Sequence, residues 1–305
     1  MYLIFNDLIS FFLIIVVGFI LVKIKVANEN WLQTFNQYSF NIGLPFLTFY
    51  SVNNQEINWG VFFDLFQINF VILSAITIVI YSLFKFLFKK NLHGGTWLFA
   101  FLYGNVAFIG IPLLKSILND DVFPALIASI HLLFVMLFGL YFSVKLEGGA
   151  KTKNSIKISF FVKNPIIWSI VLGLLANYFY KHTIIVLQVP FFKMLAQTAT
   201  PIILLSLGIF IKLNSKILVQ YWKISLLYSA IKFFIIPFLM YYGIKNIIQD
   251  TFLKVQFFQM AMPCALASFV LALKYQLNAK ILASFIIIST LLFFIVIPFL
   301  ILFLK

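Results

Sequence analysis

Asn105 and Pro112 stand seven residues apart in the apolar stretch TWLFAFLYGNVAFIGIPLLKSI, residues 96–117, with Gly104 and Gly110 beside them. The stretch is long enough to cross a bilayer, which takes roughly 20 residues. Proline has no amide proton and its ring clashes with the preceding turn, so Pro112 is expected to open the helix around Gly110 and Ile111. Opening frees carbonyls before the proline and amides after it. Hydrocarbon tolerates such groups only against protein or a water-filled cavity. The freed amides form the positive end of a helix dipole. The asparagine adds a neutral donor and acceptor, which can hold a carboxylate without burying a fixed charge. Asn105, Gly110, Ile111 and Pro112 are therefore candidates for a solute site. The plainer reading is a proline-kinked helix satisfied by its neighbours, with Asn105 in a helix–helix hydrogen bond.

A second run, VQFFQMAMPCALASFVLALKY, repeats the pattern at Met262, Pro263 and Cys264. Asn41 precedes Pro45 by one turn and could reach the same cavity or bond within the bundle. Lys232, in YSAIKFFIIP, is the single lysine deep in an apolar run. Burying it costs about 2.5–3.5 kcal/mol on insertion scales. It could neutralise the carbonyls of a broken helix or face an anion directly, and the first role is favoured. His131 is read as a satisfied histidine of the bundle rather than a proton relay, and His93 and His182 as solvated loop residues. The acidic residues Asp7, Glu29, Glu56, Asp64, Asp120, Asp121, Glu147 and Asp250 all fall at or near the ends of apolar runs. A sodium–proton antiporter needs carboxylates inside the membrane, as does an intramembrane metalloenzyme, so both are disfavoured. One cysteine excludes an intrachain disulfide and a cysteine metal cluster. No phosphate-binding loop or Ser/His/Asp set stands out, so neither a cofactor nor an enzymatic reaction is expected.

These residues need elements to position them, and composition says which. The chain has 305 residues, 63% hydrophobic and only 10% charged, with a mean hydropathy of +1.08. That is a polytopic helical membrane protein. Ten spans can be drawn, at 4–22, 34–52, 60–88, 96–118, 122–146, 162–180, 189–211, 217–245, 252–274 and 280–304. MYLIFNDLIS lacks a basic leader, so the first run reads as a span rather than a cleaved signal. The net charge of +14 comes from lysines that flank the spans. It reflects topology and anionic lipid headgroups as partners, not nucleic acid. Fifteen lysines fall on the side of the first loop and six on the other. The first side is then cytoplasmic and both termini face out. Residues 148–161 form a lysine-rich cytoplasmic linker between a first half, 1–147, and a second, 162–305. The offset from Pro45 to Pro201 is 156 and from Pro112 to Pro263 it is 151. Two pairs at nearly one offset suggest a repeat of five spans. Five is odd, so the second copy is inverted, as in secondary transporters with a midplane site.

At these residues the chain resembles the auxin efflux carrier family, which includes plant auxin exporters and bacterial carriers of malate and malonate. GNVAFIGIPLL resembles the family's Asn followed by Gly-x-Pro-Leu-Leu. FNIGLPFLTF resembles its second-helix Leu-Pro motif, KNPIIWSIVLGLL its sixth helix and QMAMPCALASFVLALKY its ninth. The resemblance covers essentially the whole chain. It implies an all-α plasma-membrane protein of ten helices in two inverted five-helix repeats, the fourth and ninth crossing at proline breaks. The plant members' long central loop is absent, so auxin itself is not carried over. Cys264 and Ala265 stand where polar residues are often seen. The expected function is alternating-access transport of a small carboxylate, bound by Asn105 and the freed amides. Spans 3–5 and 8–10 would carry the site. Spans 1, 2, 6 and 7 would form a scaffold offering a homodimer surface. The alternatives are a proton- or sodium-coupled antiporter of the same architecture, a transport-inactive membrane sensor and an ion channel.

Overall fold

The computed structural model describes residues 2–54, 57, 59–87, 93–118, 122–148, 163–180, 190–246 and 248–304. The linker beyond residue 148, Glu56, Asp120, Asp121 and His182 lie outside them. Among the described residues the regular structure is helical. In chain order the segments are α1 (Tyr2–Lys23), α2 (Glu29–Tyr38, Ser39–Gly43 and Leu44–Asn53), α3 (Trp59–Leu87), α4a (Gly94–Leu102) and α4b (Val106–Gly110 and Ile111–Leu118). They continue with α5 (Val122–Phe134, Val135–Gly139 and Leu140–Gly148), α6 (Pro165–Tyr180) and α7 (Pro190–Leu213). The last are α8 (Ile217–Ala230, Ile231–Ile235 and Ile236–Ile244), α9a (Asp250–Met260), α9b (Ala267–Tyr275) and α10 (Ala279–Phe303). Five helices among the described residues are long and apolar enough to cross a membrane: α3, α5, α7, α8 and α10. Their outward side chains are apolar too, as at Phe86, Val219 and Leu239.

Local chemistry sets the ends. Asn28 caps α2, its Oδ1 accepting from the amides of Asn30 and Trp31 at 3.0 and 3.4 Å. Asn278 caps α10 in the same way through Lys280 and Ile281. Such a cap satisfies amides that have no intrahelical acceptor. α6 and α7 start at Pro165 and Pro190, where a missing amide proton costs nothing.

Pro112 acts differently from expectation, and two other prolines share its setting. Pro45, Pro112 and Pro237 each stand two residues after a five-residue wide turn, at Ser39–Gly43, Val106–Gly110 and Ile231–Ile235. Each such turn closes with a bond between residues five apart, as from Ile111 N to Val106 O. A proline ring crowds the carbonyl four residues back, and widening the preceding turn relieves the clash without breaking the helix. Pro112 therefore does not open its helix. Gly110 and Ile111 are helical, and α4 breaks earlier, at Tyr103–Asn105. α9 breaks at 261–266, around Pro263, as expected.

Packing divides the helices into two groups. α1 lies on α7, and α2 lies on α6 and α7. The first contact is close: a Cβ on Gly208 would sit 2.0 Å from the Ile15 carbonyl oxygen, and one on Gly18 2.3 Å from that of Leu205. In the other group α8 packs on α10, α4a on α5, α3 on α5, and α9a on α5 and α8. A polar clasp ties this second group at one end. The Glu147 carboxylate accepts from the Thr96 amide and hydroxyl and meets His93, while the Asn278 amide donates to Thr96 Oγ1.

Candidate functional site

The two breaks meet. Asn105 N donates to the Pro263 carbonyl at 2.7 Å, and Ala265 N donates to the Tyr103 carbonyl at 2.9 Å. Gly104 and Cys264 thereby pair as one antiparallel bridge. Gly104 is required by space: a Cβ there would lie 3.3 Å from Met262 Cβ and 3.4 Å from the Gln259 carbonyl oxygen. The Cys264 amide is held by Ser289 Oγ of α10 at 3.2 Å, and its Sγ meets Ser268 Oγ at 3.3 Å.

Breaking α4 leaves carbonyls at the end of α4a, and two basic side chains take them. Lys232 Nζ donates to the Phe101 carbonyl and is 1% exposed. His131 Nε2 meets the Leu102 carbonyl at 2.7 Å. Lys232 comes from α8 and His131 from α5, so two neighbouring helices cap the negative end of a third. The carbonyl-neutralising role expected for Lys232 is the one seen, and His131 is satisfied on one nitrogen.

On the other side of the break the α4b helix starts with amides that have no intrahelical acceptor, at Val106 and Ala107. Both residues line a cavity of about 600 Å³. So do Ala265, Leu266 and Ala267 at the start of α9b, Thr48 and Ser51 of α2, and Ser129 of α5. Asn105 lines it as well. It is 4% exposed, and its side-chain amide makes no hydrogen bond to any described residue. Its amide borders the cavity, where a solute group or water can pair with it. The helix–helix hydrogen bond that was the plainer reading of Asn105 is absent among the described residues.

Of the other expected site residues, Ile111 lines this cavity. Gly110 and Met262 pack against each other behind it, with a Gly110 Cβ 3.5 Å from Met262 Cγ. Pro263 and Cys264 contribute backbone to the crossing rather than side chains to the cavity. Pro45 is buried, and its carbonyl accepts from Thr48 Oγ1 at 3.1 Å. Three residues are corrected. Pro112 is exposed, with its ring outside the cavity, because the break precedes it by a full wide turn. Asn41 is exposed and bonds its own helix at the Gln37 carbonyl, 2.9 Å away. It lines a separate cavity of about 420 Å³ with Asn36, Asn214 and Lys274. Lys232 stands behind the break and lines neither cavity. Sequence reasoning missed Thr48, Ser51 and Ser129, whose small hydroxyls carry no signal in an apolar run. It also missed Gln256 and Gln259, one turn apart on α9a, which bond Asn69 of α3 and the Pro124 carbonyl.

The chain matches the family described as membrane transport protein twice, over residues 3–157 and 157–301. It belongs to that family. The membrane transport family is the auxin efflux carrier type that the motifs resemble. The chain is also similar to an uncharacterized transporter of Methanothermobacter thermautotrophicus, 26% identical over 304 residues and covering 96% of each chain. The crossing at Gly104 and Cys264 is thus a feature of a multi-pass membrane transport protein, with one broken helix in each matched segment.

Proposed function

We propose that this protein is a secondary carrier of small organic anions, malate- or malonate-like, that works by alternating access in the plasma membrane. The observation that carries the reading is Asn105: an amide with no hydrogen bond to any described residue, at the point where the starts of α4b and α9b enter one cavity. One carboxylate group would accept from Asn105 and from the free amides at Val106 and Ala107, with the dipoles of two half-helices favouring its charge. Thr48, Ser51 and Ser129 would hold the rest of the solute.

Two cavities support alternation. Along α2 the smaller ends at Asn41 and the larger begins at Leu44; along α9b they end at Val270 and Ala267. The barrier between them is about one helical turn, roughly 5 Å, so a modest shift of the crossing against α2 would exchange access. We read the chain as ten spans in two inverted repeats of five, divided at 148–161, with both termini outside. The double family match and the paired breaks support this. α1, α2, α6 and α7 would stand as scaffold and dimer surface while the other group moves.

Uptake of labelled acetate, malonate and malate into proteoliposomes tests the function, and anion-induced thermal stabilisation tests the site. Asn105→Ala should weaken binding by about ten- to a hundredfold, the loss of one hydrogen bond to a charged group worth about 1.5–3 kcal/mol. Unchanged stabilisation in the variant would make Asn105 a packing residue and end this reading.

A further inference from the structure

The smaller cavity, about 420 Å³, lies apart from Asn105. It runs toward the Glu29 end of α2, while the larger cavity runs toward the Asn54 end. Its inner end is rich in hydrogen-bond donors. Ser206 Oγ of α7, fully buried, donates to Asn36 Oδ1 at 3.1 Å, which leaves Asn36 Nδ2 without a partner among the described residues. Asn41 and Asn214 each give one amide proton to their own helix, at the Gln37 and Phe210 carbonyls, and keep the other. Lys274 Nζ of α9b lies over the Phe40 ring, 4.8 Å from its centroid, and has no ion pair among the described residues. A ring face steadies an ammonium without taking up its protons, as a carboxylate would. Glu29, the acidic residue of the lining, belongs to the outer end: it stands eleven residues before Phe40 on α2, about 16 Å along the axis.

We infer that the smaller cavity is a second anion site, a station where a carboxylate binds Lys274 and the spare amide protons of Asn36, Asn41 and Asn214 on its way to or from Asn105. The inference rests on the anion-carrier reading above. Only about one helical turn separates the two cavities along α2, so an anion leaving the crossing toward the Glu29 end meets these donors next. A neutral solute gains little from Lys274, whereas a carboxylate gains a charge-assisted bond. Lys274 is exposed, so the site is weak, and a weak site lets the anion move on. Lys23, Lys25, Lys212 and Lys216, on the loops and helix ends beside Glu29 and Asn214, outnumber Glu29 and raise the local anion concentration.

The test uses malonate as the probe. Reductive methylation with carbon-13 formaldehyde labels each lysine and keeps its charge. The Lys274 signal, identified by its absence in Lys274→Gln, should shift as malonate is added. It should shift in Asn105→Ala as well, half-saturating within about twofold of the wild type, because the station is separate from the crossing. The second measurement is malonate exchange in vesicles of single orientation, with saturating malonate on the far face. Lys274→Gln should raise KM on the Glu29 face about threefold and keep the maximal rate, and Lys274→Arg should restore KM. A Lys274 signal that does not move, a shift lost with Asn105→Ala, or an unchanged KM in Lys274→Gln would each overturn the inference and leave the site at Asn105 standing. Wild-type protein that is neither stabilised by malonate nor exchanges it would remove that site, and the inference with it.

Discussion

At the scale of single residues, the break leaves polar backbone groups exposed and other side chains are sent to meet them. Lys232 is the costliest of these. Its charge is withdrawn from lipid by the Phe101 carbonyl, at the negative end of α4a. Lys232→Met keeps the bulk and removes the charge, leaving that carbonyl short of a donor at a cost of about 1–3 kcal/mol. The variant should reach the membrane and lose most anion uptake; full uptake would make the charge dispensable. The lysine was legible as an anomaly in YSAIKFFIIP, and its structural role followed from the expectation of a broken helix. Its partner was not legible, because which carbonyls are free depends on where α4 stops. Asn105 was legible for the opposite reason: a lone amide in an apolar run has few uses. The hydroxyls of Thr48 and Ser129 were not, since small polar residues are common in membrane helices and bond their own backbone, as Ser129 does to Ala125.

At the scale of elements, apolar run length foretold where helices lie, and proline placement misled about where α4 breaks. A proline strains only the turn before it, and the chain answers with a wide turn three times over. The break at Tyr103–Asn105 has no proline at all. It exists because the backbone groups of Tyr103 and Asn105 find partners at Ala265 and Pro263, a tertiary cause no local pattern can show. Two substitutions separate these effects. Pro112→Ala, at an exposed position, should change stability by no more than about 0.5 kcal/mol and leave anion binding intact, as measured by thermal unfolding with and without malonate. Gly104→Val should cost about 1–3 kcal/mol or prevent folding, because its side chain has no room against Met262 and the Gln259 carbonyl. If Pro112→Ala abolished binding while Gly104→Val did not, the break would belong to the proline after all.

At the scale of the whole molecule, orientation rests on the lysines. In the proposed orientation the fifteen-to-six split would place the 148–161 segment in the cytoplasm. A cysteine at Lys153, in a background lacking Cys264, should resist an impermeant thiol reagent in intact cells and react after the membrane is opened. Labelling in intact cells would invert the topology. The crossing itself has a consequence for the chain's continuity. Its two backbone bonds run one in each direction, so each half supplies one donor and one acceptor, and neither bond depends on the peptide link between them. The covalent join then only raises the local concentration of one half beside the other. Two separately encoded fragments, 1–155 and 156–305, should find each other in the bilayer and restore anion uptake on co-expression, where either alone gives none. Such a result would make the chain a complex of two halves that happen to be translated as one.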